Sequence, residues 1–264
     1  DTIIQVEGRA DGIFTEDGEV WIDEIKGTYG NLQAMEMPVP VHRAQAMCYA
    51  WIYAQEQKPE KIGVQMTYGN LDTEELKFFR EEYTLEELGL WYQNLLDRYH
   101  KWIAYQLAWK KERNASMSDL EFPFEYREGQ RKIVSGVYHT ISTERQIFVQ
   151  APTGVGKTMS TIFPAVRAVG AGLGENIFYL TAKTITRTVA EEAFAILKEH
   201  GLKFKVITIT AKEKLCFCDK TECNPENCLW ARGHLDRVND AVFELWTTQD
   251  SYDRDTLLEH AKKW

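Results

Sequence analysis

Ala151-Pro152-Thr153-Gly154-Val155-Gly156-Lys157-Thr158 constrains this chain more than any other stretch. It follows the apolar, strand-like run Gln146-Ile147-Phe148-Val149-Gln150 and leads into Met159-Ser160-Thr161-Ile162-Phe163, which reads as a helix start. A glycine-rich turn between a buried strand and a helix N-terminus aims several backbone N–H groups at one point. The helix dipole adds positive character there, which suits a polyphosphate. Thr153, Gly154, Val155 and Gly156 would form the cradle, Lys157 would reach the β/γ-phosphates and the Thr158 hydroxyl would hold Mg²⁺. ATP is the expected ligand.

The chain has 264 residues, enough for about two domains, and is 44% apolar and 27% charged, so two cores can be built. No window approaches the ~20 uninterrupted apolar residues of a membrane span, and no signal peptide heads the sequence. A cytoplasmic protein with no membrane partner is expected. The sequence opens at Asp1, without methionine and inside a strand-like run, and reads as a fragment. A net charge of −9 argues against bulk cationic nucleic-acid binding but leaves room for local basic grooves. The basic clusters at Arg98–Lys101 and Lys110–Arg113 read first as solvated helix faces.

A stretch from about Asn114 to Pro123 is expected to divide the chain. Upstream, Thr84 to Lys111 reads as one long amphipathic helix or a helix pair, with Leu85, Leu88, Trp91, Leu95, Tyr99 and Trp102 at three-to-four spacing. The turn formers of Asn114-Ala115-Ser116-Met117-Ser118-Asp119 should end it. Nearer the start, Ile3 to Thr15 and Val20 to Thr28 read as strands joined by Glu16-Asp17-Gly18-Glu19, and Asp-Gly between strands signals a hairpin. With Asp17-Gly18 as the loop, Asp11 falls opposite Glu24, their Cβ atoms about 5 Å apart. Lys26, two residues on, shares that face. Two carboxylates and a lysine suit a core badly. They suit a site in which the acids chelate Mg²⁺ or Mn²⁺ and Lys26 orients water and offsets charge in phosphodiester hydrolysis.

These residues carry a family resemblance. Gly8-Arg9-Ala10-Asp11-Gly12-Ile13 and Ile22-Asp23-Glu24-Ile25-Lys26-Gly27-Thr28 resemble the two acidic motifs of the PD-(D/E)XK nucleases. Gln45-Ala46-Met47-Cys48-Tyr49, on a helical stretch from about His42 to Gln55, resembles the Gln-x-x-x-Tyr motif of their RecB-like exonuclease branch. Gln45 and Tyr49, four apart, share a helix face, and the resemblance implies that this face lies beside the scissile DNA. It spans roughly residues 3–70. The branch usually has a further acidic or histidine ligand on a helix ahead of the residue matched by Asp11, and the sequence as given starts too late to show it.

The second half resembles the iron–sulfur superfamily 2 helicases of the DinG/XPD type. Ala-x-Thr-Gly-x-Gly-Lys-Thr, with Ala151 in place of the first glycine, is similar to their P-loop, and Tyr126-Arg127-Glu128-Gly129-Gln130 to their adenine-reading Arg-x-x-Gln element. By that resemblance Gln130 would read the base. Asn176-Ile177-Phe178-Tyr179-Leu180 reads as the next buried parallel strand, and the family likeness gives Thr181-Ala182-Lys183-Thr184 at its end to the single-strand backbone. A helix from Ile185 to His200 and a strand Lys205 to Ile209 complete a β–α–β–α–β order.

Four of the five cysteines, Cys216, Cys218, Cys223 and Cys228, lie within thirteen residues. Without a signal peptide a reducing compartment is expected, which favours a metal site over disulfides. Zinc prefers paired Cys-x₂₋₄-Cys knuckles, which the tight Cys-x-Cys matches poorly, and four thiolates also suit a cubane. The helicase likeness favours a [4Fe–4S] cluster, because that family inserts its cluster at this point of the first motor domain. Cys216, Cys223 and Cys228 fit the family pattern, with Cys218 or a cysteine beyond Trp264 as fourth ligand. Cys48 reads as a small buried residue. Amphipathic helices are expected over Asp236–Trp246 and Thr256–Trp264.

The expected architecture is therefore α/β: a PD-(D/E)XK nuclease-like domain over 1–115, a partial RecA-like P-loop domain with a parallel sheet over 116–210, and a helical iron–sulfur insert over 211–264. The expected function is that of an ATP-dependent DNA helicase with a fused metal-dependent nuclease, acting in repair on DNA that is single-stranded or has single-stranded ends. No Asp-Glu pair ends a strand between Val206 and Trp264, and no second motor domain follows, so efficient ATP hydrolysis and unwinding are not expected of this piece. The competing readings are a catalytically dead nuclease fold used as a DNA clamp and, more weakly, a P-loop kinase with a zinc knuckle.

Overall fold

The computed structural model describes residues 3–182, 184–220 and 222–264. Among them the chain is α/β, with one mixed four-stranded sheet, a two-stranded pair and seven α-helices. It falls into two compact units, Asp1–Lys101 and Trp102–Trp264.

The first unit is built on the sheet β1 (Gly12–Glu16), β2 (Glu19–Thr28), β3 (Lys61–Asn70) and β4 (Leu76–Thr84), in that spatial order. The β1–β2 turn is Asp17-Gly18, at φ 53° and 88°. Two successive positive φ values match the right-handed strand twist, which is why Asp-Gly is found there. The register runs from Glu16↔Glu19 to Gly12↔Asp23, as the hairpin reading requires. β1 is shorter than expected: residues 3–10 are not strand. Asp11 ends the ladder by turning its carboxylate onto the backbone N–H of Ile25 at 2.9 Å, so a side chain takes the donor that a longer β1 would have paired.

Helix α1 (Pro40–Gln57) connects β2 to β3, which run parallel, with Glu24 beside Met66 and Lys26 beside Tyr68. Proline at its first position suits a helix start, where the missing N–H has no intrahelical partner anyway. α1 packs Ala46, Met47, Ala50 and Ala54 in a core with Ile22, Val64 and Met66. Small residues on the helix let it approach the sheet closely.

Helix α2 runs from Leu85 to Ser118. Thr84 and Glu87 form a reciprocal cap, Thr84 N–H to Glu87 Oε2 at 2.8 Å and Glu87 N–H to Thr84 Oγ1 at 3.2 Å. The helix runs past its expected end at Lys111 and stops only at Ser118, late in the Asn114–Asp119 stretch expected to break it. Ser116 and Ser118 turn their hydroxyls back onto the carbonyls of Arg113 and Asn114, and Met117 is wholly buried in the second core. The Arg167 guanidinium then takes the terminal carbonyls of Met117, Ser118 and Leu120. Packing and a remote cap override local turn preference. The two compact units meet within α2, between Lys101 and Trp102.

The second unit holds α3 (Gln130–Ser142), α4 (Lys157–Gly170), α5 (Thr184–Glu199), β5 (Val206–Ile207), α6 (His234–Thr248), β6 (Ser251–Tyr252) and α7 (Arg254–Ala261). Its core joins Met159, Ile162, Phe163 and Val166 of α4 to Ala193, Phe194 and Leu197 of α5. Helices α5, α6 and α7 lie within a few residues of their expected limits, and α4 begins where a helix start is expected; α3 is an addition. The parallel sheet is not. Runs 146–150 and 176–180 form no ladder among the described residues, and Phe148 and Leu180 are 96% and 89% exposed. The run 205–209 contributes only β5, parallel to β6. A parallel strand is completed by a partner remote in sequence, and an apolar run without that partner stays open. The runs 176–180 and 205–209 line a cleft of about 730 Å³ with Trp109 and Trp246. Lys183 lies outside the described residues.

Lys205 holds this unit together at one point. Its ammonium donates to Trp246 O at 2.6 Å, Gln249 O at 2.7 Å and Asp250 Oδ1 at 3.1 Å, and lies 4.3 Å from the Trp109 ring centroid. All three N–H donors are used. Lys205→Met keeps the stem but removes the ammonium and its three hydrogen bonds, leaving Trp246 O and Gln249 O to the hydroxyls of Tyr105 and Tyr252, a loss of about 2 kcal/mol. The melting midpoint of the second unit should fall by about 5 °C in calorimetry.

Candidate functional site

Asp23 and Glu24 are neighbours on β2, so their side chains leave opposite faces of the sheet. Both are buried, and their surroundings differ. Asp23 is satisfied at both oxygens, by Thr67 Oγ1–H at 2.7 Å and Gln65 Nε2–H at 3.0 Å. Gln65 is held in turn by Arg80 Nε–H at 2.5 Å. Glu24 is 1% exposed; its Oε1 pairs with the Lys26 ammonium, while Oε2 is buried with no hydrogen-bond partner. A buried carboxylate oxygen without a donor costs about 1–3 kcal/mol or more. Asp23 is thus fully satisfied by the sheet, and Glu24 keeps one buried oxygen without a partner.

Of the other expected residues, Asp11 and Tyr49 lie within electrostatic reach of Lys26, the partner of Glu24. Lys26 is raised above its ordinary value, first by its hydrogen bond to Glu24 and then by the charges of Glu24, Asp11 and Tyr49, against the opposing effect of burial. Asp11 is not in the ladder opposite Glu24; it is just beyond its end, with Oδ2 engaged by Ile25. On α1, Gln45 Nε2–H donates to Tyr49 Oη at 3.1 Å. The Gly8 backbone lies against the Tyr49 ring, where a Cβ would fall 2.4 Å from Cε1. That contact explains the glycine of Gly8-Arg9-Ala10-Asp11. Among the described residues no group of three or more His, Cys, Asp or Glu side chains is gathered as a ready metal cage.

The loop at 151–156 ends at α4, whose N-cap Gly156 provides no side-chain cap, so the first-turn N–H groups face outward without a side-chain acceptor. Gly154 and Gly156 have φ 84° and 74°. The Lys157 ammonium folds back onto Ala151 O at 2.9 Å and Pro152 O at 2.6 Å. Arg127 donates from its guanidinium to Gly154 O and from its backbone to Gln130 Oε1 at 2.7 Å. Gln130 is buried, and a Cβ on Gly156 would come within 2.4 Å of its Nε2. The structure thus brings Gln130 to the loop, with its amide packed on the loop backbone. Thr153 is exposed, and Val155 and Thr158 are half-buried.

The cysteines converge in part. Cys218 Sγ lies 3.9 Å from Cys228 Sγ, and Cys218 N–H donates to Cys216 Sγ at 3.4 Å. Sharing a contact with Cys228 pushes the Cys218 thiol up to about 11. Cys228 is lowered, first by the N–H of Ala231. Cys223 is exposed, and its hydrogen bond with Lys212 raises that lysine. Cys48 is a half-buried residue of α1 whose thiol is raised by burial.

No family model, no curated protein and no solved structure matches this chain. No helix among the described residues is long and apolar enough to cross a membrane.

Two residues of the first site were missed by sequence reasoning. His42 stands three residues ahead of Gln45 on the same stripe of α1, and Tyr68 stands beside Lys26 on β3. The stripe spacing signals His42. Nothing local signals Tyr68, because its place depends on the parallel pairing of β2 and β3.

Proposed function

We propose that this chain is part of a DNA-processing nuclease–helicase: a metal-dependent PD-(D/E)XK nuclease module followed by a RecA-like, ATP-binding motor segment with a metal–thiolate insert. The observation that carries the reading is the buried, unpartnered Oε2 of Glu24 beside Lys26 and Asp11. Two carboxylates supply hard oxygen donors of the kind Mg²⁺ or Mn²⁺ takes, with water and a substrate phosphate completing the shell. A divalent ion there would polarise the scissile phosphate and sharpen a bound water as nucleophile. Lys26 offsets negative charge at the phosphate. Gln45 and Tyr49, joined by a hydrogen bond, present one polar edge of α1 to the strand. Cleavage of end-labelled single-stranded DNA with Mn²⁺ and no ATP tests the proposal.

ATP binding is supported by the positive-φ glycines, the uncapped α4 N-terminus and Lys157 at its first residue. A triphosphate would draw the Lys157 ammonium from Ala151 O and Pro152 O, and adenine recognition would draw the Gln130 amide from its packing on the loop.

For the insert, a [4Fe–4S] cluster remains the favoured occupant of Cys216, Cys218, Cys223 and Cys228. One distance favours a second reading. Two thiolates on one tetrahedral zinc, each about 2.3 Å from it, are separated by about 3.8 Å, and Cys218 and Cys228 are 3.9 Å apart. Anaerobic purification followed by iron, sulfide and zinc analysis separates the two. Cys228→Ser should lose at least half of the bound metal, and an unchanged content would remove Cys228 from the ligand set.

A further inference from the structure

Tyr68 is 2% exposed, yet its hydroxyl has two partners: the N–H of Val39 at 3.0 Å and His42 Nδ1 at 3.0 Å. A buried tyrosine hydroxyl finds an acceptor for its own hydrogen. Val39 N–H can only donate. The hydrogen of Tyr68 therefore goes to His42 Nδ1, and the neutral ring of His42 carries its hydrogen on Nε2. Val39 is the N-cap of α1 and has no side-chain cap, so Tyr68 also anchors the helix start. The two rings lie 5.8 Å apart at 37°.

The ring so held belongs to the candidate nuclease site. Tyr68 pairs with Lys26 across β2 and β3, and His42, Gln45 and Tyr49 succeed one another along one stripe of α1. The charges of Lys26 and Glu24 both bear on the imidazole: burial and Lys26 push it below its ordinary value, and Glu24 opposes them. With Nδ1 occupied by Tyr68, the group His42 has left to offer is a fixed N–H.

We propose that His42 is a substrate-binding residue of this site, a neutral Nε2–H donor held by Tyr68 to contact a phosphate oxygen of a nucleic-acid strand beside Glu24 and Lys26. The proposal rests on reading this face as a nucleic-acid site and goes beyond the motif residues that suggested it. A purely structural histidine would serve only to accept from Tyr68.

Two substitutions separate these roles. His42→Asn places an amide oxygen where Nδ1 sits and keeps the Tyr68 bond but removes the Nε2 donor; His42→Gln places an amide N–H near Nε2. Binding of a fluorescein-labelled single-stranded oligonucleotide, with Ca²⁺ present, is read by anisotropy, and cleavage is followed with Mn²⁺. His42→Asn should bind about 10-fold more weakly at an unchanged melting midpoint, and His42→Gln within about threefold of the parent. Equal binding by His42→Asn and the parent, or no binding by the parent, overturns the proposal. A parent that binds but does not cleave sinks the nuclease reading alone, and the binding comparison still decides the role of His42. If His42→Asn lowers the midpoint, the parent's ¹⁵N-histidine spectrum decides instead: the Nε2–H signal of His42 should move on oligonucleotide addition, and a stationary signal overturns the proposal.

Discussion

Glu24→Gln is expected to lower metal-dependent DNA cleavage by about 10³-fold or more, about 4 kcal/mol in barrier, while leaving the chain at least as stable as before. The two halves of this expectation come from the same atom. Glu24 Oε2 is buried without a donor, so a neutral amide relieves charge desolvation in the folded state. Lys26 loses its partner but is 28% exposed and can turn to solvent. The same exchange removes an anionic ligand from the proposed metal position. The neighbouring substitution should do the reverse. Asp23→Asn disturbs a carboxylate satisfied by Thr67 and Gln65, with a stability loss of about 1–3 kcal/mol. Cleavage per folded molecule should then be unchanged within a few-fold. Denaturant unfolding and a cleavage assay on both variants read the crossed pattern. A Glu24→Gln chain that cleaves like the parent, or an Asp23→Asn chain that is folded and inactive, would exchange the roles given to the two acids.

Lys157→Ala should weaken Mg·ATP binding about 100-fold, about 2.7 kcal/mol, by removing the one ammonium placed at the start of α4. The side chain now ties Ala151 O and Pro152 O, so it also shapes the loop before nucleotide arrives. Charge-assisted bonds to phosphate are stronger than those two bonds to neutral carbonyls, and the lysine would exchange one set for the other. Mg·ATP should raise the melting midpoint of the parent chain and leave that of Lys157→Ala nearly unmoved at the same concentration. An equal rise in both would place the nucleotide elsewhere.

The hairpin was legible from the sequence because Asp17-Gly18 determines its own backbone, and the register follows from a two-residue loop. α2 was legible from periodicity, and α1, α4, α5, α6 and α7 were legible as helical stretches. What escaped reading was set by partners distant in sequence. Asp11 ends β1 by capping Ile25, which no spacing announces. α2 passes through Asn114–Ser118 because Met117 is buried and Arg167, far along the chain, takes the last carbonyls. The apolar runs 146–150 and 176–180 have strand composition, but composition supplies only half of a ladder. At the site, the identities of Asp11, Glu24, Lys26, Gln45 and Tyr49 were readable as a pattern, and Lys26 is under the charges of Asp11, Glu24 and Tyr49. The division of labour between Asp23 and Glu24 was not readable, nor was the Tyr68–His42 pair, because both depend on which strand lies beside β2.

The most direct test is degradation of end-labelled single-stranded DNA by the purified chain, with Mn²⁺ and no ATP, beside Glu24→Gln and an EDTA control. Cleavage that requires the metal, needs no nucleotide and disappears with Glu24→Gln is the expected result. Binding of the DNA without cleavage under these conditions would contradict the nuclease assignment and make the first unit a DNA-binding clamp.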